Sequence, residues 1–403
     1  MQHSMKMLAA LGVVALALTG CAAGGGDAPA DGEPIVIGTS LPMTGPLASF
    51  GPILEAGYQA AVDDVNAAGG IEIDGTAHQV ELTVLDSGSD PNAVAEQART
   101  LVLQDGAVGL LGSVSPGLTI PASNVADLEG VPMVSSLTPN GAWAAGNPDG
   151  WQFAWNFFMD EHQLADVAYE TADLTDTNKK VAIFADTEED GVATGALYES
   201  AALEYGYEIV YRPNPPAATT ASTAATNPAK AAGAGGLHPP LTPPDAFALW
   251  KQMAALEYVP EIAVCQKCSS TAAFQAELGD LAEGTLNVYL ANPSDAPEWA
   301  DVVAKFSEQY GVNVDRNSAL AAYTAAMVML ESIAEAGSID GTAINDVIAA
   351  TDKEYPVGLV KFRDDHSVAV NVANVQWFGD EQLGVFPVGG EADLVTPTVG
   401  LQQ

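Results

Sequence analysis

The sequence predicts an α/β protein built on parallel sheets. Two observations carry this. Short β-rich runs alternate with helical segments along most of the chain, and strands interleaved with helices make parallel sheets covered on both faces. The chain is also 403 residues long, and about 380 remain beyond the N-terminal leader described below, which is enough for two lobes of ordinary size.

The elements of the first half follow in order. Ile35–Leu41 is a β-rich run, and Gly45 and Gly51 bracket the loop after it. Ile53–Ala67 reads as a helix ending at Gly69-Gly70. Val80–Leu85 is the next strand, and Asp90 is placed to cap a helix from Pro91 to Gln104 with proline in its first position. Val108–Leu111 is a strand of buried type, Pro116–Leu128 a helix and Val131–Ser135 a strand. In such sheets ligands bind outside the strand carboxyl ends. Three loops lie there, at residues 42–50, 112–117 and 136–140, and they hold Thr44, Ser113, Ser115, Ser136 and Thr138.

The second half continues the alternation. The stretch Trp151–Asp160 is the most aromatic of the chain, and Asp160, His162 and Gln163 open a helix to about Ala172. Val181–Asp186 is a strand, Gly191–Tyr205 a helix and Tyr207–Tyr211 a strand. The pattern then breaks. Residues 213–244 hold eight prolines, nine alanines and no acid, against 52 acids in 403 residues overall, and nothing here predicts a strand. The segment reads as an Ala/Pro-rich irregular insert, or as the product of a locally shifted reading frame. The pattern resumes with Asp245 capping a helix to Met253, the strand Ile262–Val264, a Cys265-Gln-Lys-Cys268 loop and the strand Thr285–Leu290. Helices at 296–310, 319–336 and 343–350 follow, then strands at 358–362 and 370–378.

The N-terminus predicts export. One lysine precedes an apolar run, Leu8–Leu18, that is too short to span a bilayer, and no other apolar run is long enough. Leu18-Thr-Gly-Cys21 resembles a bacterial lipobox, in which the cysteine is acylated and becomes the mature N-terminus. Two acyl chains on Cys21 would hold the protein on the outer side of the cell membrane. Residues 22–33 are Gly, Ala, Pro and acid and read as a flexible tether.

Composition excludes some functions. With 13 basic and 52 acidic residues the formal charge is −39, so nucleic acid is a poor partner. Such charge favours solubility and suits a salty medium. The five histidines show no metal-ligand spacing, and no metal or cofactor is expected. Cys265 and Cys268 leave three readings: a local disulfide, free thiols, or metal or redox chemistry. Outside the cytoplasm the disulfide is favoured. Gly112-Ser-Val-Ser-Pro-Gly117 approaches the G-x-S-x-G nucleophile elbow but is one residue off, with proline directly after Ser115 and no triad partners in evidence. An enzyme is therefore not expected.

Several strings together carry a family resemblance. IGTSLPMTGPLASFG, VDDVNAAGGI, LLGSVSPGLTIPASNVADLEGVPMVSSLTP and VAIFADTEEDGVATG resemble, in order and spacing, type I periplasmic binding proteins of the branched-chain-amino-acid ABC importers, here in lipoprotein form. The match runs from about Ile35 to Pro397. It implies two Rossmann-like lobes joined by three crossovers: a signal peptide at 1–20, a tether at 21–33, a first lobe at 34–153 and 287–351, and a second at 154–286 and 352–397. It implies ligand binding by Ser115, Ser136 and Thr138, with Ser113 beside them and Phe50 as an aromatic wall. Asp245 would pair a ligand ammonium, and Lys267 in its loop could meet a carboxylate. Trp155 falls near a position where relatives often carry arginine, which implies a less charged, aromatic or larger apolar ligand. The expected partners are a small ligand (an amino acid, an amide or a small aromatic acid), a membrane permease and the membrane itself. The alternative is a ligand sensor on the same fold, feeding a signalling receptor.

Overall fold

The computed structural model describes residues 32–187, 189–216, 224–290, 300–309, 316–387 and 392–402. The expected signal peptide, Cys21 and most of the tether lie outside the described residues.

Along the chain the first elements are β1 (Ile35–Leu41), α1 (Gly51–Ala67), the hairpin β2 (Ile71–Ile73) and β3 (Thr76–His78), β4 (Val80–Asp86) and α2 (Pro91–Leu103). They are followed by β5 (Gly109–Leu111), α3 (Ser115–Glu129), β6 (Met133–Ser135), α4 (Asn140–Ala145) and β7 (Ala154–Phe158). Local chemistry sets several boundaries. Asp90 caps α2 by accepting from the Asn92 N–H at 2.8 Å, and Gly130 ends α3 in a left-handed conformation at φ 67° that glycine adopts without strain.

Next come α5 (Glu161–Ala172), β8 (Lys180–Ile183), α6 (Glu189–Glu204), β9 (Glu208–Tyr211), α7 (Thr226–Ala231), β10 (Gly236–His238), α8 (Pro243–Ala255), β11 (Ile262–Ala263), α9 (Ala272–Leu278) and β12 (Leu286–Tyr289). The chain continues with α10 (Ala300–Gln309), α11 (Arg316–Ala336), α12 (Gly341–Ala349), the hairpin β13 (Asp352–Tyr355) and β14 (Gly358–Lys361), β15 (Ser367–Ala369), β16 (Ala373–Phe378) and β17 (Glu381–Phe386).

Two parallel sheets organise these elements. The first has the order β15-β7-β6-β5-β1-β4 and the second β11-β10-β8-β9, with every pairing parallel. In the first sheet the chain leaves β1 for β4 on one side and then for β5 on the other, so a topological switch point lies between β1 and β5. A third, antiparallel sheet, β12-β16-β17, joins the second through a bridge between Val264 and Leu286.

The sheet pairings correct the expected lobe boundaries. Residues 154–158 belong to the first sheet, because Met133–Ser135 pairs with Ala154–Asn156. All five β7 residues are buried, as a strand covered on both faces requires; this part of the aromatic run is a core strand. The β13–β14 hairpin is tied to α11 by bonds from Lys353 and Tyr355 to Glu331, and β15 pairs with β7, so 352–369 also stays with the first lobe. Conversely β12 pairs with β16 in the second. The chain therefore crosses after Met159, after Leu290 and after Ala369.

A second correction concerns residues 213–244. They do form a strand: β10 lies between β8 and β11. Three residues suffice, and Leu237 is its one fully buried aliphatic side chain. Gly235 lets the chain enter the sheet closely, since a Cβ there would meet Glu261 Oε2 at 2.5 Å and Asn178 Oδ1 at 2.6 Å. His238 is buried between the rings of Tyr169 and Tyr198, with centroids at 4.7 and 4.8 Å, and burial pushes its pKa down to about 3. Pro239, Pro240, Leu241 and Pro243 are buried after it. Prolines without a free N–H fit a buried turn that leaves a strand, and their number hid the segment in the sequence pattern.

A third correction concerns length. Ser318–Ala336 is apolar and long enough to cross a membrane, but 72% of it is buried here, as the core helix α11 packed along α1.

Candidate functional site

A cleft open to solvent lies outside the carboxyl ends of strands from both parallel sheets. The first lobe contributes Phe50, Val114, Ser115, Leu137, Pro139 and Phe158. Each sits at or just beyond a strand end: Phe50 in the loop after β1, Val114 and Ser115 after β5, Leu137 and Pro139 after β6, and Phe158 closing β7. The second lobe contributes Gln266, Lys267 and Ser270 from the loop after β11, and Val288 from β12. Ser318, near the start of α11, completes the wall.

The loops after β5 and β6 are held rigidly. Ser115 begins α3 at φ 66° and its N–H donates to the Leu137 carbonyl at 3.2 Å, while Leu137 itself has φ 58°. Left-handed conformations in non-glycine residues persist only where the surroundings enforce them, and they gather at ligand sites. Gly112 is required beneath them, because a Cβ would lie 2.3 Å from that of Ser135. Its carbonyl accepts from the Tyr58 hydroxyl at 2.8 Å, and burial raises the Tyr58 pKa well above the ordinary phenol value, so the hydroxyl stays a donor.

The loop from Cys265 to Ser270 is braced in the same way. Cys265 and Cys268 are bonded as a disulfide, with Cα atoms 5.5 Å apart, around Gln266 and Lys267. The Ser269 hydroxyl donates to the Cys265 carbonyl at 2.6 Å, and the Ser269 carbonyl accepts from Trp377 Nε1 at 2.9 Å.

Of the residues the sequence singled out, Phe50, Ser115 and Lys267 meet at this cavity. Ser113 and Ser136 lie just behind it, 2% and 1% exposed, and their hydroxyls have no hydrogen-bond partner among the described residues. The Thr138 hydroxyl is instead bonded to that of Thr119 at 2.7 Å. Trp155 is used elsewhere: its ring stacks on His366 at 3.6 Å, and its N–H donates to Asn345 Oδ1 at 2.7 Å. Asp245 lies in the first turn of α8 rather than at its N-cap; Thr242 stands at that position without a side-chain capping bond, and its hydroxyl donates to Asp245 Oδ2 at 3.0 Å. Asp245 is 1% exposed and is not part of the cavity wall.

Sequence reasoning missed Leu137, Phe158, Gln266 and Ser270, all within a few residues of positions it named. It also missed Val288 and Ser318, which no local signal could find, because distant crossovers bring them in.

At the crossovers, Asn140 Nδ2 donates to the Phe158 and Val368 carbonyls and to Asp160 Oδ1, at 3.1, 2.8 and 2.9 Å. Arg363 pairs with the same carboxylate at 3.0 Å. Burial raises the Asp160 pKa, but the hydrogen bonds from Arg363 and Asn140 and the Arg363 charge outweigh it, so the carboxyl lies below its ordinary value. One side chain thus ties the chain's first exit from the first lobe to its last.

This wall is chemically suited to holding a ligand. It presents apolar surface, hydroxyls, an amide and an ammonium, and the described lining residues give Ser115 no imidazole or carboxylate to take its proton.

Known proteins of this form are numerous. A family model described as Periplasmic binding protein matches residues 34–382. Leu/Ile/Val-binding protein homolog 7 of Brucella abortus is 25% identical over 398 residues, spanning 93% of this chain and 96% of that protein. Among solved structures, the branched-chain amino acid transporter substrate binding protein LivJ of Streptococcus pneumoniae, in complex with isoleucine, superposes with a TM-score of 0.76 at 22% identity, over 90% of this chain and all of that one. A solute binding protein of an ABC transporter from R. palustris, in complex with benzoate, superposes with a TM-score of 0.75 at 16% identity, over 90% and 97% of the two chains.

Proposed function

The chain belongs to the periplasmic binding protein family, and from that premise we propose that it is the extracytoplasmic solute-binding component of an ABC importer. It takes a small amino-acid-like or related ligand between its two lobes and delivers it to the membrane permease. The observation that carries this is a cavity walled by strand-end loops of both parallel sheets, with constrained first-lobe loops and a braced second-lobe loop. A ligand that touches both walls stabilises the closed arrangement over the open one, and the permease reads that difference. Ser115 and Phe50 hold the ligand from the first lobe and Lys267 from the second, with the unbonded hydroxyls of Ser113 and Ser136 just behind the wall. The chemistry is binding alone, without a covalent step.

Cys21 carries the lipid in this reading and keeps the protein at the outer face of the cell membrane. Two experiments test the proposal. Ligands bound only by the folded chain raise its stability by about 2.7 kcal/mol at a hundredfold excess over Kd, so a panel of amino acids, amides and small aromatic acids should give a selective thermal shift. A chain indifferent to all of them sinks the solute-binding reading. Cys21→Ala should release the protein from the membrane fraction, and retention there refutes the lipid anchor.

A further inference from the structure

The crossovers after Met159 and after Ala369 run side by side. The Val370 N–H donates to the Phe158 carbonyl at 3.1 Å, and Gln163 Nε2 donates to the Val370 carbonyl at 3.2 Å. Asp160 stands at the first of them, as the N-cap of α5. That helix is fastened to the second lobe. Its Tyr169 hydroxyl donates to the Tyr198 carbonyl of α6 at 2.9 Å, and Asn374 Nδ2 of β16 donates to the Val167 carbonyl and to Thr171 Oγ1 at 2.9 and 2.6 Å. The Asp160 carboxylate therefore travels with the second lobe.

The same carboxylate is gripped from the first lobe. Arg363 Nη2 and Nη1 donate to its Oδ1 and Oδ2 at 3.0 and 3.3 Å, and Asn140 Nδ2 donates to Oδ1 at 2.9 Å. Both donors are fixed in place. Asn140 is 3% exposed, and its Oδ1 accepts from Asn156 Nδ2 of β7 at 2.7 Å. Arg363 lies between β14 and β15, where its N–H and Nε donate to the Ser367 carbonyl and hydroxyl at 2.9 and 3.1 Å. Swinging α5 moves the anion relative to donors that cannot follow, and such bonds weaken steeply with distance and angle. Bonding through both carboxylate oxygens adds a directional preference. None of the three residues is among the described residues that line the cleft. The contact is made in an arrangement where strand-end loops of both lobes wall one cleft.

We propose that Asp160, Arg363 and Asn140 form an interlobe clasp that favours this shared-cleft arrangement over wider-open ones. Arg363 and Asn140 are then positioning residues. They raise affinity by raising the population able to hold a ligand at both walls, without touching it. The Asp160 and Arg363 side chains are 36% and 45% exposed, so solvent screens the pair. The clasp therefore tunes apparent affinity by about two- to fivefold and does not switch binding on or off. The effect on affinity rests on the solute-binding reading; the effect on opening does not.

Small-angle X-ray scattering reads the opening without a ligand, on the chain from Ala22 onward, which holds every described residue. Arg363→Gln should give a larger radius of gyration than the natural chain, and Arg363→Lys an intermediate one. Lys361→Gln breaks an ion pair with Asp352 inside one lobe and should leave the radius unchanged. Urea unfolding of each variant separates the two roles: a merely structural contact would lower the midpoint and leave the radius as it was. Leucine, leucinamide and benzoate are then titrated calorimetrically. Any of them that binds the natural chain should bind Arg363→Gln about two- to fivefold more weakly. Asp160→Asn should behave alike, and the double variant should be no weaker than the singles, because all three break one contact. An unchanged or smaller radius in Arg363→Gln overturns the clasp. A larger radius with unchanged affinity overturns its link to binding. If none of the three ligands binds, the solute reading fails for those classes, and the scattering still decides the clasp.

Discussion

Lowering the pH from 7.5 to 4.5 should destabilise this protein through one side chain on its least expected strand. His238 lies fully buried on β10 between two tyrosine rings, and its Nδ1 has no hydrogen-bond partner among the described residues. Burial lowers its pKa from 6.5 to about 3. The folded chain thus holds a neutral ring down to about pH 3, while the unfolded chain takes up a proton below 6.5. Between those values the unfolded state binds more protons, so stability falls as pH falls; the contribution is complete above 6.5 and gone near 3. Each pH unit inside the window is worth about 1.36 kcal/mol. The loss attributable to His238 is therefore about 1 kcal/mol at pH 5.5 and about 3 kcal/mol at pH 4.5.

Many carboxylates titrate over the same range, so the measurement is a difference. Urea unfolding is followed at pH 7.5, 6.5, 5.5 and 4.5 for the natural chain and for His238→Gln, which does not titrate. The variant should be less stable at pH 7.5, because the ring packing is lost. It should then lose about 3 kcal/mol less than the natural chain on going to pH 4.5. Parallel pH profiles would refute the reasoning: His238 would then be hydrated, and residues 236–238 would not form a buried central strand.

Further outcomes follow from other contacts. Leu401 is 1% exposed in the C-terminal turn packed on the cluster of Trp250 and Trp377; Leu401→Ala should cost about 2–4 kcal/mol in urea unfolding, and Gln402→Ala, at an exposed position, almost nothing. Breaking the disulfide with Cys265→Ser and Cys268→Ser together should cost about 2 kcal/mol or less, because the closed loop is so short, yet weaken ligand binding several-fold by loosening Gln266 and Lys267; unchanged affinity would show that the Ser269 contacts alone set the loop. With a formal charge of −39, raising sodium chloride from 0.02 to 1 M should raise Tm by several degrees through screening of self-repulsion, and a flat response would mean that the acids are already balanced by local contacts.

How much of this was legible in the sequence depends on the range of the signal. Asp90 before Pro91, the glycines after α1 and the alternation of strand and helix are local, and they place most elements from β1 to β6 within two residues. The rule that ligands sit beyond strand carboxyl ends points to the loops that hold Phe50, Ser115 and Lys267, because each of these loops follows a strand. Trp155 failed for the opposite reason. It lies inside β7, where the side chain is fixed by neighbouring strands and by His366, and nothing local announces that partner. Asp245 failed as the N-cap, since the helix begins at Pro243 after Thr242, whose hydroxyl bonds the Asp245 carboxylate inside the first turn. β10 failed because composition averages over a window, whereas a central parallel strand needs only a few residues with backbone groups free to pair. Gly236-Leu-His238 meets that need within a stretch whose prolines and alanines argue against it.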